Sequence, residues 1–284
     1  MLVCIDIGNT HTHVAIHRDG AFSVQRDIPT PLLDDAAEGL PAYLAALCVA
    51  PPASPFNSTV PPNLGPANSR SANAEGDAAR GGIAFCSVVP SATPRLLALA
   101  ATFGLPAWQL THAVRLGVPI TYPRPAEIGQ DRLANAAGAH ALAPSRPAVV
   151  IDLGTAVTFD VVTPAGGYEG GIITPGPALV TRYLHERTAQ LPLVTDLDSP
   201  IPSVIGKSTA EAIRIGAVVG YAGLIQTLLD AVLAEFAARG LAEAEIFLSG
   251  GAAEFVHGRL RQPVRIVPDL ALLGLAAAHA LNHR

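Results

Sequence analysis

The residues predict an α/β fold built as two like halves, and two observations carry that expectation. Ile5-Asp6-Ile7-Gly8-Asn9-Thr10 and Ile151-Asp152-Leu153-Gly154-Thr155 share one grammar, in which an apolar run closes on an aspartate, a glycine and a hydroxyl residue. A β-rich stretch follows each copy, and the copies lie about half a chain apart. Each segment describes a buried strand ending in a tight turn, with a carboxylate at its tip and backbone N–H groups beyond it. Glycine lets the backbone approach a phosphate, the N–H groups and the Thr hydroxyl donate to its oxygens, and the carboxylate holds a hydrated cation. A single turn of this kind is ordinarily a strand terminus; the repeat points to duplicated lobes that face one nucleotide.

The elements follow in order. Residues 2–6, 12–17 and 21–28 read as consecutive strands joined by turns at Gly8-Asn9 and Asp19-Gly20. Helical character covers 33–50, an apolar strand covers 82–89, and the run after Pro90 reads as a helix to Phe103 with Pro94 near its first turn. Residues 108–111 add a short strand. This strand-strand-strand-helix-strand-helix order is that of a ribonuclease-H-like half-domain. A helix over 126–142 then places Asp131, Asn135 and Ala139 at four-residue steps. Strands at 148–152, 157–162 and 168–173, helices at 177–188 and 209–239, a strand at 245–248, a helix at 252–261, a strand at 264–267 and a helix from Asp269 repeat the idea. The expected architecture is therefore two ribonuclease-H-like (actin-like ATPase) domains with mixed sheets around a nucleotide cleft, spanning 1–115 and 116–284. Residues 51–81 are dominated by Pro, Ala, Asn, Ser and Gly, show no apolar period, and read as a flexible insertion.

Composition narrows the function. Half of the 284 residues are apolar, so a substantial core is expected. Net charge is −5 with no basic run, which argues against a nucleic-acid partner. Cys4, Cys48 and Cys86 sit in apolar contexts and read as buried, reduced thiols of a cytoplasmic protein rather than a disulfide framework. The chain enters a strand holding Asp6 at once, so no secretory signal is expected. Residues 215–229 carry no charge but are shorter than a bilayer span. They read as a buried helix whose Gly216, Gly220 and Gly223 allow close packing, suited to a subunit interface, and no membrane partner is expected.

Several motifs carry both a plain and a chemical reading. Gly206-Lys207-Ser208-Thr209 resembles the tail of a phosphate loop, but Ile201 stands where that motif needs glycine, and Thr209 is left open between a helix N-cap and a ligand contact. His11, His13 and His17 could share a strand face, yet no cysteine or acid has ligand spacing, so zinc is not expected. Tyr122-Pro-Arg-Pro-Ala-Glu127-Ile-Gly129-Gln130-Asp131-Arg132 is the densest polar cluster. It suits a helix N-terminus with a surface ion pair, and equally a general base beside an anion clamp. Tyr168-Glu-Gly170-Gly171-Ile-Ile-Thr-Pro175-Gly176 is a strand ending in a glycine corner, either a bulge or a close backbone approach to a ligand. Ser249-Gly250-Gly251 has the placement of a nucleotide-contacting turn or of an ordinary strand–helix loop.

Taken together, the ordered motifs resemble the type III pantothenate kinases of the actin/sugar-kinase superfamily, over the whole chain except the 51–81 insertion. The segments are Asp6-x-Gly8-Asn9-Thr10, Ser87-Val-Val-Pro90, Tyr122-x-x-Pro125-x-Glu127-x-Gly129-x-Asp131-Arg132, Asp152-x-Gly154-Thr155-Ala156-x-Thr158-x-Asp160, Gly170-Gly171-x-Ile173-x-Pro175-Gly176, Gly206-Lys207-x-Thr209 and Gly250-Gly251. Val157 departs from the pattern, where a threonine is common.

The resemblance implies ATP-dependent phosphorylation of pantothenate, the first step towards coenzyme A. Residues Asp6, Ile7, Gly8, Asn9, Thr10, His11, Thr12 and His13 would hold the ATP phosphates, with Asp6 facing their Mg²⁺ and Thr155 as a further ATP contact. Asp131 would accept the substrate proton, with Tyr122, Gly129, Gln130, Arg132 and Thr209 binding pantothenate. Asp152 would hold a monovalent cation, K⁺ or ammonium, and the protein would be a homodimer. Two alternatives remain open: the same fold phosphorylating another small alcohol, or a non-enzymatic accessory regulator of transcription.

Overall fold

A computed structural model describes residues 1–49 and 81–283. Apart from Gly81, the expected insertion lies outside the described residues, as does Ala50 at the end of the first expected helix. The contacts divide the chain into two units, Met1–Gly117 with Arg124–Ala141 and Ala271–Arg284, and Val118–Pro123 with Leu142–Leu270. The sequence expectation divided the chain once, near residue 115; by contacts, most of the helix after Gly129 and most of the last helix belong with the first unit.

The first unit is built on strands β1 (Leu2–Ile7), β2 (His11–Arg18), β3 (Ala21–Pro29), β4 (Gly82–Ser87) and β5 (Ala107–Gln109). Their order is β3-β2-β1-β4-β5. The first three strands pair antiparallel, while β4 and β5 run parallel to β1. Val3, Cys4, Ile5 and Ile7 of β1 are all buried, as a strand covered on both faces requires. Helices α1 (Leu40–Val49) and α2 (Ala92–Thr102) supply Leu40, Tyr43, Leu44, Leu96 and Ala100 to its core.

The expected helix over 33–50 begins only at Leu40. Asp35 accepts the N–H groups of Ala37 and Glu38, and Gly39 packs so closely on the Leu32 and Asp35 backbone that no side chain fits there. These local bonds compete with helix and delay its start. Helix α3 (Gln130–Leu142) likewise starts later than expected, because a 3₁₀ turn (Pro125–Glu127) and an extended Ile128 precede it. It packs against the last helix, α8 (Leu270–Asn282), at Gly274, where any Cβ would overlap the Ala134 carbonyl oxygen.

The second unit repeats the plan with β6 (Ala148–Leu153), β7 (Ala156–Thr163), β8 (Gly167–Pro175), β9 (Glu245–Ser249) and β10 (Arg265–Ile266), ordered β8-β7-β6-β9-β10. Again the first three are antiparallel and the last two run parallel to β6. Its helices are α4 (Pro177–Glu186), α5 (Thr209–Ile215), α6 (Tyr221–Ala238) and α7 (Ala253–His257). A π-helical turn (Gly216–Gly220) joins α5 to α6, so Thr209–Ala238 is one helix of 30 residues.

Among the described residues that helix is long and apolar enough to cross a membrane, so the length argument against a span does not hold. Its apolarity has another account: Tyr221, Ile225, Leu229 and Phe236 pack into the core of the second unit with Val149, Ile151 and Phe159.

A ring cluster joins the last helix to the first sheet. Trp108 lies nearly perpendicular to His279 at 5.5 Å and to His283 at 5.7 Å between centroids, and the two imidazoles stack 3.9 Å apart. Burial, with added repulsion from His283 and His17, pushes His279 down from 6.5 to about 4. Between those values the unfolded chain binds a proton that the folded chain refuses. This contribution is complete above about pH 6.5, drains away as pH falls towards 4, and changes no further below that. Thermal melts should therefore show midpoints falling across that window, with a shallower slope in His279→Gln.

Candidate active site

At the C-terminal end of β1 the backbone turns sharply. The Gly8 N–H donates to the His11 carbonyl over 3.0 Å, and a Cβ on Gly8 would lie 2.9 Å from that same oxygen. Thr30 holds the turn from behind, donating its hydroxyl to the Gly8 carbonyl over 2.7 Å and its N–H to the Thr10 carbonyl over 2.9 Å. Thr12 is buried with its hydroxyl 3.1 Å from that of Thr30, and Ile7 lies in the core, so these two support the turn from inside. Asn9, Thr10 and His11 are exposed on its outer side. His13 is exposed too and meets Asp27 of β3 over 2.6 Å.

Asp6 stands opposite Cys86 in the parallel β1–β4 register, and the Cys86 thiol donates to its carboxylate over 3.1 Å. Burial pushes the Cys86 thiol well up, and the negative charges of Asp6 and Asp131 push it further. The Asp131 carboxylate accepts the N–H of Arg132 over 2.7 Å and folds over Gly129, where a Cβ would come within 2.5 Å of its oxygen. Glycine at 129 is what allows this carboxylate orientation. The preceding loop is tied down as well: the Val88 N–H donates to the Ile7 carbonyl, and the Ser87 hydroxyl bridges to Val89. Gln130 accepts from the Ser87 N–H and from the Gln109 side chain.

The second unit assembles a parallel set. Asp152 of β6 faces Ser249 of β9 in register, and its carboxylate overhangs Gly250, where φ is +81° and a Cβ would sit 2.6 Å from the oxygen. The exposed Gly154-Thr155 turn packs on Gly176, whose N–H donates to the Thr155 carbonyl over 2.9 Å. Tyr122 lies against Gly170 (φ +132°) and 6.5 Å from the Tyr168 ring, whose hydroxyl donates to the buried Asp160. The register shifts between Val161 and Val162 so that Glu169 is the extra residue, while Gly170 and Gly171 pair in step with Val161 and Asp160. Thr209 is the first residue of α5 but not its cap. Ser208 accepts the Glu211 N–H, and Glu211 reaches back to the Lys207 N–H.

Asp6, Gly129, Gln130 and Asp131 thus come together in the first unit, and Asp152, Gly154, Thr155, Gly176 and Gly250 in the second. Sequence reasoning missed Thr30, Cys86 and Gln109 as parts of these assemblies. Only Cys86 left a signal, since it immediately precedes the Ser-Val-Val-Pro segment. Among the described residues no three His, Cys, Asp or Glu side chains form a metal-binding group.

Comparison with known proteins places this arrangement. A family model described as type III pantothenate kinase matches residues 2–231. A type III pantothenate kinase of Methylacidiphilum infernorum is 44% identical over 192 residues, covering 67% of this chain and 68% of that protein. One of Streptomyces griseus is 34% identical over 284 residues, 99% of this chain and 98% of the relative. Among solved structures, a candidate Baf family transcriptional activator from Campylobacter jejuni superposes with a TM-score of 0.57 at 15% identity, covering 99% of this chain and 98% of that one. A candidate 2-dehydro-3-deoxygalactonokinase from Sinorhizobium meliloti reaches 0.51 at 15% identity, with both chains fully covered. Those two share the fold alone, a two-domain actin-like architecture. With its family model, its relatives and its paired aspartate turns in agreement, the chain belongs to the type III pantothenate kinase family.

Proposed function

We propose that this protein transfers the γ-phosphoryl group of ATP to the primary hydroxyl of pantothenate, opening coenzyme A synthesis in the cytoplasm. The observation that carries the reading is Asp131, held over Gly129 at the start of α3 by the Arg132 N–H. An alcohol is a poor nucleophile, and a fixed carboxylate can take its proton as the new P–O bond forms. Arg132 is suited to an anion, and pantothenate carries a carboxylate. Tyr122 and Thr209 line the same substrate in this reading, and Gly129 serves Asp131.

The Gly8–His11 turn supplies backbone N–H groups and exposed Asn9, Thr10 and His11 for the phosphates. Ile7 and Thr12 serve it through the backbone and from the core, and Thr155 adds a hydroxyl. The chemistry passes through a loose transition state, so positioning and charge neutralisation carry most of the catalysis. Mg²⁺ bound with ATP would neutralise charge on the phosphates, and Asp6 is the residue we assign to it. Asp152, overhanging Gly250, is the residue we assign to a monovalent cation, K⁺ or ammonium.

A homodimer is part of the same proposal. Along the long helix the buried pairs Ala217-Val218, Tyr221-Ala222 and Ile225-Gln226 alternate with exposed Val219-Gly220 and Gly223-Leu224. A Cβ on Gly216, Gly220 or Gly223 would meet nothing within 4 Å. The result is an uncharged face of small and aliphatic residues, suited to close packing of a second copy.

A coupled assay should show ATP consumption that depends on pantothenate and rises with K⁺, and the K⁺ response should vanish in Asp152→Ala. Turnover of a sugar in place of pantothenate would overturn the assignment, and no turnover at all would favour a regulator. Asp131→Asn should bind ATP yet lose about 10²–10⁴-fold in kcat, and unchanged turnover would remove Asp131 from the base role. Sedimentation should give a dimer for the parent and a monomer for Gly220→Leu.

A further inference from the structure

Gln130 stands between Gly129 and Asp131 in the Gly-x-Asp-Arg block, and its side-chain oxygen is held by two protein donors. Its Oε1 accepts the Ser87 N–H over 3.0 Å and the Gln109 Nε2–H over 3.1 Å. Ser87 ends β4 and Gln109 ends β5, so one carboxamide oxygen fastens the first residue of α3 to the ends of two parallel strands. Ser87 is also the register partner of Ile7, and the neighbouring pair is Asp6 with Cys86. The Val88 side chain, one residue beyond Ser87, lies 3.5 Å from where a Gly129 Cβ would project. One loop therefore touches the turn of β1, the seat of Gln130 and the glycine beneath Asp131.

We propose that Gln130 is a positioning residue for phosphoryl transfer. Its bonds to Ser87 and Gln109 set where the Asp131 carboxylate stands relative to Asp6, and it acts through Asp131 rather than on pantothenate. The inference rests on the reading of Asp131 as the base. It gives the Ser-Val-Val-Pro segment a physical task, since the loop supplies the backbone donor that anchors the catalytic helix. A misplacement of about 1 Å in such a group can cost about 10²-fold in rate.

The experiment compares steady-state kinetics of the parent, Gln130→Met, Gln130→Glu, Gln109→Met and Asp131→Asn, with ATP and pantothenate varied separately and kcat followed against pH. Gln130→Met keeps length but removes the acceptor, and kcat should fall about 10–100-fold while both KM values move less than about threefold. Gln130→Glu still accepts both hydrogen bonds. It should recover kcat to within about tenfold of the parent, and its added charge near Asp131 should move the acid limb to higher pH. Gln109→Met, which removes one donor, should lower kcat by less than Gln130→Met, and it carries the test should Gln130→Met fail to fold.

Parental kcat in both methionine variants, or a raised pantothenate KM at parental kcat in Gln130→Met, overturns the inference. If Asp131→Asn keeps parental turnover, the base assignment falls and takes this inference with it. If Asp131→Asn collapses while the methionine variants are normal, the positioning role alone fails.

Discussion

Parallel pairing of a first and a fourth strand is the constraint on which each unit depends. β1 with β4, and β6 with β9, run in the same direction, so their C-terminal ends finish side by side. An aspartate near the end of the first strand then faces a small polar residue near the end of its neighbour: Asp6 with Cys86, and Asp152 with Ser249. Asp6 and the seat of Gln130 lie at one such pair of ends and Asp152 with Gly250 at the other, where strand carbonyls give way to turns and helix starts. Open α/β sheets place their ligands in such positions for the same reason.

Glycine fills a particular role at these ends. At Gly129 and Gly250 the missing side chain makes room for a carboxylate, that of Asp131 or Asp152, and at Gly176 it makes room for the Gly154-Thr155 backbone. Close approach explains these positions better than flexibility does, since only Gly250 of the three has positive φ. Asp131 and Asp152 each need a hydrogen atom where a methyl group would otherwise stand, whereas Gly8 makes room for the His11 carbonyl.

Much of the fold was legible because its signals are local. The repeated Asp-x-Gly turns, the strand-strand-strand order and most strand limits follow from alternation and turn chemistry within a few residues. The misread helix start at 33 followed the apolar pattern while Asp35 and Gly39 offered the backbone other partners. At 208–211 the Ser-x-x-Glu capping box was present in the residues, but the neighbouring Gly-Lys-Ser-Thr drew the reading towards Thr209. The long helix was legible almost to its ends, 209–239 against Thr209–Ala238, and only its uncharged stretch 215–229 invited a length argument of its own. Thr30 beneath Gly8, Cys86 against Asp6 and Gln109 against Gln130 join residues 21 to 80 positions apart, and no local pattern encodes such pairs.

The contact of Gly274 with Ala134 carries a consequence for the order of assembly. Helix α3 holds Asp131, and at Gly274 it meets α8 with no side chain between the two backbones. During translation α8 leaves the ribosome after the whole second unit has been made. The helix bearing the proposed base therefore cannot complete this contact until the second sheet has emerged.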